Sequence, residues 1–330
     1  MERSVKLQVP FIQLPLLFDA EALAREVLAI DESCWKPHPQ GFAGNSMLPL
    51  VAVDGDPANE TFDGPMLPTP HLRACPYLQQ VFAGLGATIG RSRLMRLSGQ
   101  AEVSRHFDQG YYWADRVRVH VPIVTQPTVR FECGDMAVNM AAGECWIFDT
   151  WRMHRVINDA DAARIHLVVD TVGGSGFWDL VGRGRAIGAP PRGPWEPKRV
   201  QPAQGVDAEF PLESVNVPVV MSPWEMRSHF GLLFGDALPH PQLQQVQWLA
   251  AQLLRGWQGL WAQYGESRAG HQHYRALLDR FQEQALPLSE PLLLNNNGGF
   301  QLAMRLLILQ SAIGDGTPRN SSEYGSDDRG

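Results

Sequence analysis

The chain of 330 residues has few cysteines, no long apolar run and no surplus of positive charge. Its four cysteines, Cys34, Cys75, Cys133 and Cys145, share no CxxC or CxxxC spacing, which argues against a zinc knot or a disulfide framework. Reduced thiols, and with them a cytoplasmic setting, are the expectation. No stretch approaches the roughly 20 apolar residues needed to cross a bilayer. The first residues run into an apolar segment broken at Pro10 and Pro15, which is not the core of a signal peptide. The formal charge of -7 gives no support for nucleic acid or an anionic membrane as partner. No internal repeat is present. What the chain does have is 31 glycines and 25 prolines in a composition that is 44% hydrophobic, as in a turn-rich globular protein.

The elements change character along the chain. A short strand at 11–14 precedes a helix for which Asp19 is the N-cap. Residues 35–72 are proline-rich and loop-like except for a strand at 48–53, and a second helix covers 76–85, stopped by Gly86. From position 89 the texture is of short strands: 91–97, 102–106, 116–124, 128–133, 137–140, 144–149, 154–157 and 164–172. So many short strands punctuated by Gly, Asn and Asp predict a β-barrel or sandwich and not a βαβ sheet. A Pro/Arg-rich stretch between 181 and 205 reads as a linker. Helices follow at 241–264, 271–286 and 299–313, and a polar tail at 314–330 is expected to be disordered. This divides the chain into a β-domain at 1–180, a linker at 181–205, a helical domain at 206–313 and the tail. The Leu and Trp stripe on 243–261 is core or an interface, which leaves homo-oligomerisation through these helices open.

Chemistry gathers between 106 and 170. His106 and Asp108, two apart in a strand, would face the same way and could present an imidazole and a carboxylate to one metal ion. His154 would supply a third ligand, giving the two-histidine, one-carboxylate set of non-haem Fe(II) oxygenases. An HxD pair alone is weak, since an exposed loop His and Asp would look the same. Arg164 sits on an apolar strand and needs an anionic partner, either a ligand carboxylate held by its planar fork or an internal bridge to Asp149 or Asp170. In 116–122, alternation puts Arg116, Arg118 and His120 on one face and three valines on the other, which fits a barrel interior receiving anions or a solvated sheet surface. Trp113 is either a pocket wall or lid, or a buried aromatic at a strand edge. Asp149 either orients a histidine or stabilises a turn. His38, His71, His229, His240, His271 and His273 show no ligand pattern and read as surface or packing residues.

Taken in order, several motifs resemble the aspartyl/asparaginyl β-hydroxylase family of Fe(II)/2-oxoglutarate dioxygenases. They are Arg91-Ser-Arg93-Leu-Met-Arg96-Leu, His106-Phe-Asp108, Arg118-Val-His120-Val-Pro122, Gly143-Glu-Cys-Trp-Ile-Phe-Asp149, His154-Arg-Val-Ile-Asn158 and Arg164-Ile-His-Leu-Val-Val-Asp170. The resemblance covers about 90–172. It implies a double-stranded β-helix, or jelly roll, with iron on His106, Asp108 and His154 and the far carboxylate of 2-oxoglutarate on Arg164. Arg118 and His120 would line the cosubstrate or substrate pocket, and Arg93, Arg118 and Trp113 are candidates for substrate contact. The branch acting on protein aspartyl residues lacks the carboxylate ligand; Asp108 makes this chain more similar to bacterial members, including the L-proline cis-hydroxylases. The activity implied is hydroxylation of an unactivated C–H of a small amino acid, free or in a peptide or natural product, using O2 and releasing succinate and CO2. The alternatives are a protein-residue hydroxylase, whose helical region would dock a partner, and a jelly-roll module that binds a small anion without catalysis.

Overall fold

The computed structural model describes residues 7–39, 41–190, 193–205 and 208–314. Before the main strand run come β1 (Phe11–Phe18), α1 (Ala20–Leu28), β2 (Lys36–Pro37), β3 (Asn45–Val53), β4 (Met66–Pro68), α2 (Pro70–Arg73) and α3 (Pro76–Gly84). Next are β5 (Thr88–Leu97), β6 (Ala101–His106), the single turn α4 (Tyr111–Ala114), β7 (Val117–Val124), β8 (Arg130–Cys133) and β9 (Met136–Val138). β10 (Glu144–Phe148), β11 (His154–Asn158) and β12 (Arg164–Gly173) complete the run. After it come α5 (Ser175–Arg183), β13 (Arg185–Ala186), β14 (Lys198–Val200), α6 (Pro223–Asp236), α7 (Leu243–Tyr264), α8 (His271–Ser289) and α9 (Phe300–Met304). Asp19 caps α1 as expected, accepting from the Ala22 amide at 2.9 Å.

The strands form two sheets. The larger has the order β13-β1-β10-β7-β12-β5-β3-β2, and the smaller β6-β11-β8-β9. From β5 to β12 the chain alternates between them, β6, β8–β9 and β11 lying in the small sheet and β5, β7, β10 and β12 in the large one. Antiparallel strands wound between two facing sheets in this way are a double-stranded β-helix, the jelly roll that the motifs implied.

Alternation explains how one sheet serves two interiors. On β7, Val117, Val119 and Val121, and on β12, Ile165, Leu167 and Val169, join an apolar cluster with the helices α1, α3 and α6 to α9. The opposite face of the large sheet looks at the small one. There Phe11, Trp146 and Phe148 meet Val103, Phe131 and Val156 in a second, smaller cluster. The rest of that inner space is lined by polar side chains, so both faces of β12 are buried and its sequence reads as nearly continuous apolar residues with isolated charges.

The helices that follow the barrel share the first cluster with it. The Trp151 indole donates to Asp236 on α6 at 2.9 Å, and the Asn296 amide donates to the Trp151 carbonyl at 2.9 Å. Several local expectations shift. The 35–72 segment contains β2, β4 and α2 besides the strand, which starts at Asn45. Trp113 lies on the α4 turn and not at a strand edge. Helix α5 lies where none was read, and α6 falls within the expected helical region 206–313, ahead of the first individual helix drawn there. The expected tail falls, from 315 on, outside the described residues. None of the described helices is long and apolar enough to cross a membrane.

Candidate metal centre and its cavity

His106 and His154 are cross-strand partners on β6 and β11. Their rings lie 4.3 Å apart between centroids. Each ring is oriented by its own strand: the His106 Nδ1–H donates to the Ser104 carbonyl at 2.8 Å and that of His154 to the Arg152 carbonyl at 2.9 Å. Such a bond on Nδ1 leaves Nε2 with its lone pair free for a metal. Burial first, and then the neighbouring His106, push the His154 pKa down to about 3, so the ring is neutral, as a ligand must be.

Asp108 reaches the same point by another route than strand periodicity. β6 ends at His106. Asp108 stands in the loop beyond, where its amide donates to the Thr150 carbonyl at 2.9 Å and ties the loop to the turn before β11. One potential ligand atom from each of His106, Asp108 and His154 lies within 4.8 Å of the others. The His106 Nε2 to Asp108 Oδ1 separation is 4.0 Å, fitting two ligands about a shared ion better than a hydrogen bond. Asp149 holds the adjoining turn: it accepts from the Trp151 amide at 3.2 Å and pairs with Arg152 at 3.1 Å.

Arg118 is tied to the carboxylates around the triad. Its Nη1 donates to Asp108 Oδ2 at 2.8 Å and its Nε to Asp170 Oδ1 at 2.8 Å. Asp170 and Arg118 are paired across β12 and β7, so the bridge is built into the register. Burial disfavours the Arg118 charge, but Asp108 and Asp170 outweigh it and hold the guanidinium protonated. One oxygen of Asp108 is thereby fixed by Arg118.

The triad opens into a cavity that reaches solvent. Arg91, Arg93, Trp113, Arg118, His120 and Arg164 all line it. Arg164 is 3% exposed. Among the described residues no carboxylate lies within salt-bridge distance of it, and its Nε has no hydrogen-bond partner. The two internal partners open to it are engaged elsewhere, Asp149 with Arg152 and Asp170 with Arg118. Burial draws its pKa down to about 9, a cost that an incoming carboxylate would remove. His120 also faces the cavity; burial and then Arg164 keep it neutral, its Nε2 has no partner, and its Nδ1 lies 3.4 Å from that of His166.

Arg91 and His38 were not read as site residues from sequence, and Asp170 was weighed only as a partner for Arg164. Arg91 repeats the two-residue alternation of Arg93 on β5 and lines the same cavity. His38, read as surface or packing, stands at the cavity with Phe42, whose ring lies 5.8 Å from that of His106. Burial, followed by Arg93 and Arg91, lowers the His38 pKa to about 3. Asp170 acts through Arg118, a contact 52 residues long that no local pattern reveals.

Residues 64–173 match the family model for Aspartyl/Asparaginyl beta-hydroxylase. L-proline cis-3-hydroxylase 1 from Streptomyces sp. is 26% identical over 137 residues, which is 37% of this chain and 45% of the relative. The chain thus spans less than half the length of that relative. Among solved structures, a Pseudomonas putida prolyl-4-hydroxylase is 18% identical with a TM-score of 0.34, over 49% of this chain and 92% of the other. An oxidoreductase of the 2OG-Fe(II) oxygenase family from Burkholderia pseudomallei is 12% identical with a TM-score of 0.34, over 48% and 80%.

Proposed function

We propose that this chain, whose residues 64–173 match the aspartyl/asparaginyl β-hydroxylase family model, is an Fe(II)/2-oxoglutarate-dependent dioxygenase that hydroxylates a small amino acid or a molecule derived from one. The observation that carries the reading is the pairing of two features in one cavity. A His–Asp–His set has its spare atoms hydrogen-bonded away, and a buried arginine beside it has no protein carboxylate to meet. A structural metal site needs no orphaned cation; a site for a metal and a carboxylate-bearing cosubstrate does.

His106, Asp108 and His154 would hold iron, and Arg164, which lines the same cavity as His120, would receive the far carboxylate of 2-oxoglutarate. Bound together, iron and 2-oxoglutarate supply the activation of O2 that converts a C–H to C–OH while the cosubstrate becomes succinate and CO2. The chain's own work is positional. Backbone carbonyls at Ser104 and Arg152 fix the imidazole planes, Arg118 fixes the carboxylate, and Phe131, Phe148 and Val156 keep water from the floor of the cavity. Trp113 and Arg93 would meet the substrate, in keeping with their place on the cavity wall. The similarity to an L-proline hydroxylase favours a small amino acid, and Asp108 separates the chain from the protein-aspartyl branch.

Metal uptake tests the reading. In the absence of air the protein should bind one Fe(II), and calorimetry should then detect 2-oxoglutarate binding that depends on the metal. Binding of neither would leave a jelly roll without this chemistry.

A further inference from the structure

The charges around the cavity name a class of substrate, an inference that rests on the hydroxylase reading. Four guanidinium groups line the cavity, those of Arg91, Arg93, Arg118 and Arg164. The carboxylates paired with them are Asp108 and Asp170, both on Arg118. Fe(II) and doubly ionised 2-oxoglutarate cancel in formal charge, so loading them leaves the two positive charges of Arg91 and Arg93 uncompensated. Neither is free to escape to water: Arg91 is 6% and Arg93 7% exposed.

Their present contacts are poor. Arg91 reaches the Glu60 carbonyl at 3.4 Å and lies 3.9 Å over the Phe62 ring, and its Nε has no partner. Arg93 reaches the Met47 sulfur at 3.7 Å. Among the described residues neither forms a salt bridge, though each sits against like charge: burial and then Arg93 lower the pKa of Arg91 to about 9, and burial and then Arg118 lower that of Arg93. Asp170 offsets only part of this, and two buried cations with no salt-bridge partner among the described residues burden the free protein, which argues that an anion completes them.

That anion is not the one expected at Arg164. In the β5–β12 register Arg93 stands opposite Val168 and Arg164 opposite Leu97. The two levels are four residues apart, about 13 Å along the strands. Arg91 and Arg93, two apart on one strand face, can receive two anionic groups or one group bidentately from each side. Phe62, whose ring centroid is 4.5 Å from that of Tyr112, packs against the Arg91 guanidinium.

We propose that Arg91 and Arg93 form a substrate subsite for an acid carrying two anionic groups, so that a dicarboxylate amino acid or its N-acylated form is preferred over a monocarboxylate such as proline. The probe set is L-aspartate, L-glutamate, L-2-aminoadipate and their N-acetyl derivatives, each beside its own side-chain amide, with L-proline as the monocarboxylate. Binding is read by calorimetry on full-length protein loaded with Mn(II), which replaces Fe(II) without turnover, and saturated with 2-oxoglutarate. At least one acid should bind about ten-fold more tightly than its amide, the fold expected when a single charge-assisted pair is lost. Arg91→Met, which keeps the packing against Phe62, should abolish that preference while 2-oxoglutarate still binds. No acid exceeding its amide, or a preference that survives both Arg91→Met and Arg93→Met, overturns the proposal; so does loss of 2-oxoglutarate binding in Arg91→Met, which would make Arg91 a cosubstrate anchor. If a variant fails to fold, the acid–amide comparison on the unsubstituted protein decides. Failure of 2-oxoglutarate to bind the Mn(II)-loaded protein would instead sink the hydroxylase reading itself.

Discussion

Replacing Arg164 by methionine should make the ligand-free protein more stable and deaf to 2-oxoglutarate. The guanidinium is buried with no carboxylate, and its pKa falls from 12.5 to about 9 for that reason alone. At 1.36 kcal/mol per unit this corresponds to a burden of about 5 kcal/mol on the charged form. Methionine keeps much of the side-chain volume, and water entering the open cavity offsets part of the penalty, so a net gain of about 1–3 kcal/mol is expected. At about 2–4 °C per kcal/mol this is a rise of several degrees in Tm. The sign also fixes a pH dependence. The unfolded chain holds the Arg164 proton more tightly than the folded one, so the unsubstituted protein gains stability as pH rises past about 9 and the gap to Arg164→Met narrows there. With Mn(II) present, 2-oxoglutarate at 100 times its Kd should stabilise the unsubstituted protein by about 2.7 kcal/mol and the variant scarcely at all. Thermal unfolding followed by circular dichroism, with and without cosubstrate, reads both effects. A variant that is less stable, yet still stabilised by 2-oxoglutarate, would refute the assignment of Arg164 as an anchor held in waiting.

Asp170→Asn removes the carboxylate that shares Arg118 with Asp108, and it should weaken Fe(II) binding about 10–100-fold without touching a ligand; unchanged affinity in a competition titration would show that the bridge does not position Asp108. His120 and His166 are buried and neutral, both with pKa values well below the ordinary one. Below pH about 6.5 their unfolded forms take up protons that the folded forms refuse, so stability should fall as pH falls, by about 1.4 kcal/mol per pH unit for each. Urea midpoints between pH 7 and 5 measure this, and His166→Gln should flatten the slope; an equal slope would place the acid sensitivity elsewhere.

The order of the chemistry was legible in the sequence because it is written locally. His106-Phe-Asp108, then His154, then Arg164 can be read as residue types at spacings, and the alternation in 116–122 marks a strand with one apolar and one cationic face. The structure resolves which interior that cationic face meets: the valines pack under helices, and Arg118 and His120 turn to the cavity. What sequence could not supply were partners distant along the chain. Whether Arg164 met Asp149, Asp170 or a ligand depended on which arginines those aspartates already held, and both contacts belong to tertiary register. Arg91 was visible as the alternating neighbour of Arg93, but its burial was not, since Arg96, five residues further along β5, is only partly buried and pairs with Glu32. Helix α6 was not drawn as an individual helix because its polarity is inverted at several positions, with His229 and Asp236 buried and Trp224 exposed.

The central claim is that His106, Asp108 and His154 hold iron beside a waiting carboxylate anchor and spend 2-oxoglutarate. Succinate release measures it most directly. Protein incubated in air with Fe(II), ascorbate and 2-oxoglutarate, with and without candidate acids, should form succinate and consume the cosubstrate in equal amounts, and His154→Ala should form none. Absence of succinate under every condition, or release that persists in His154→Ala, would contradict the account.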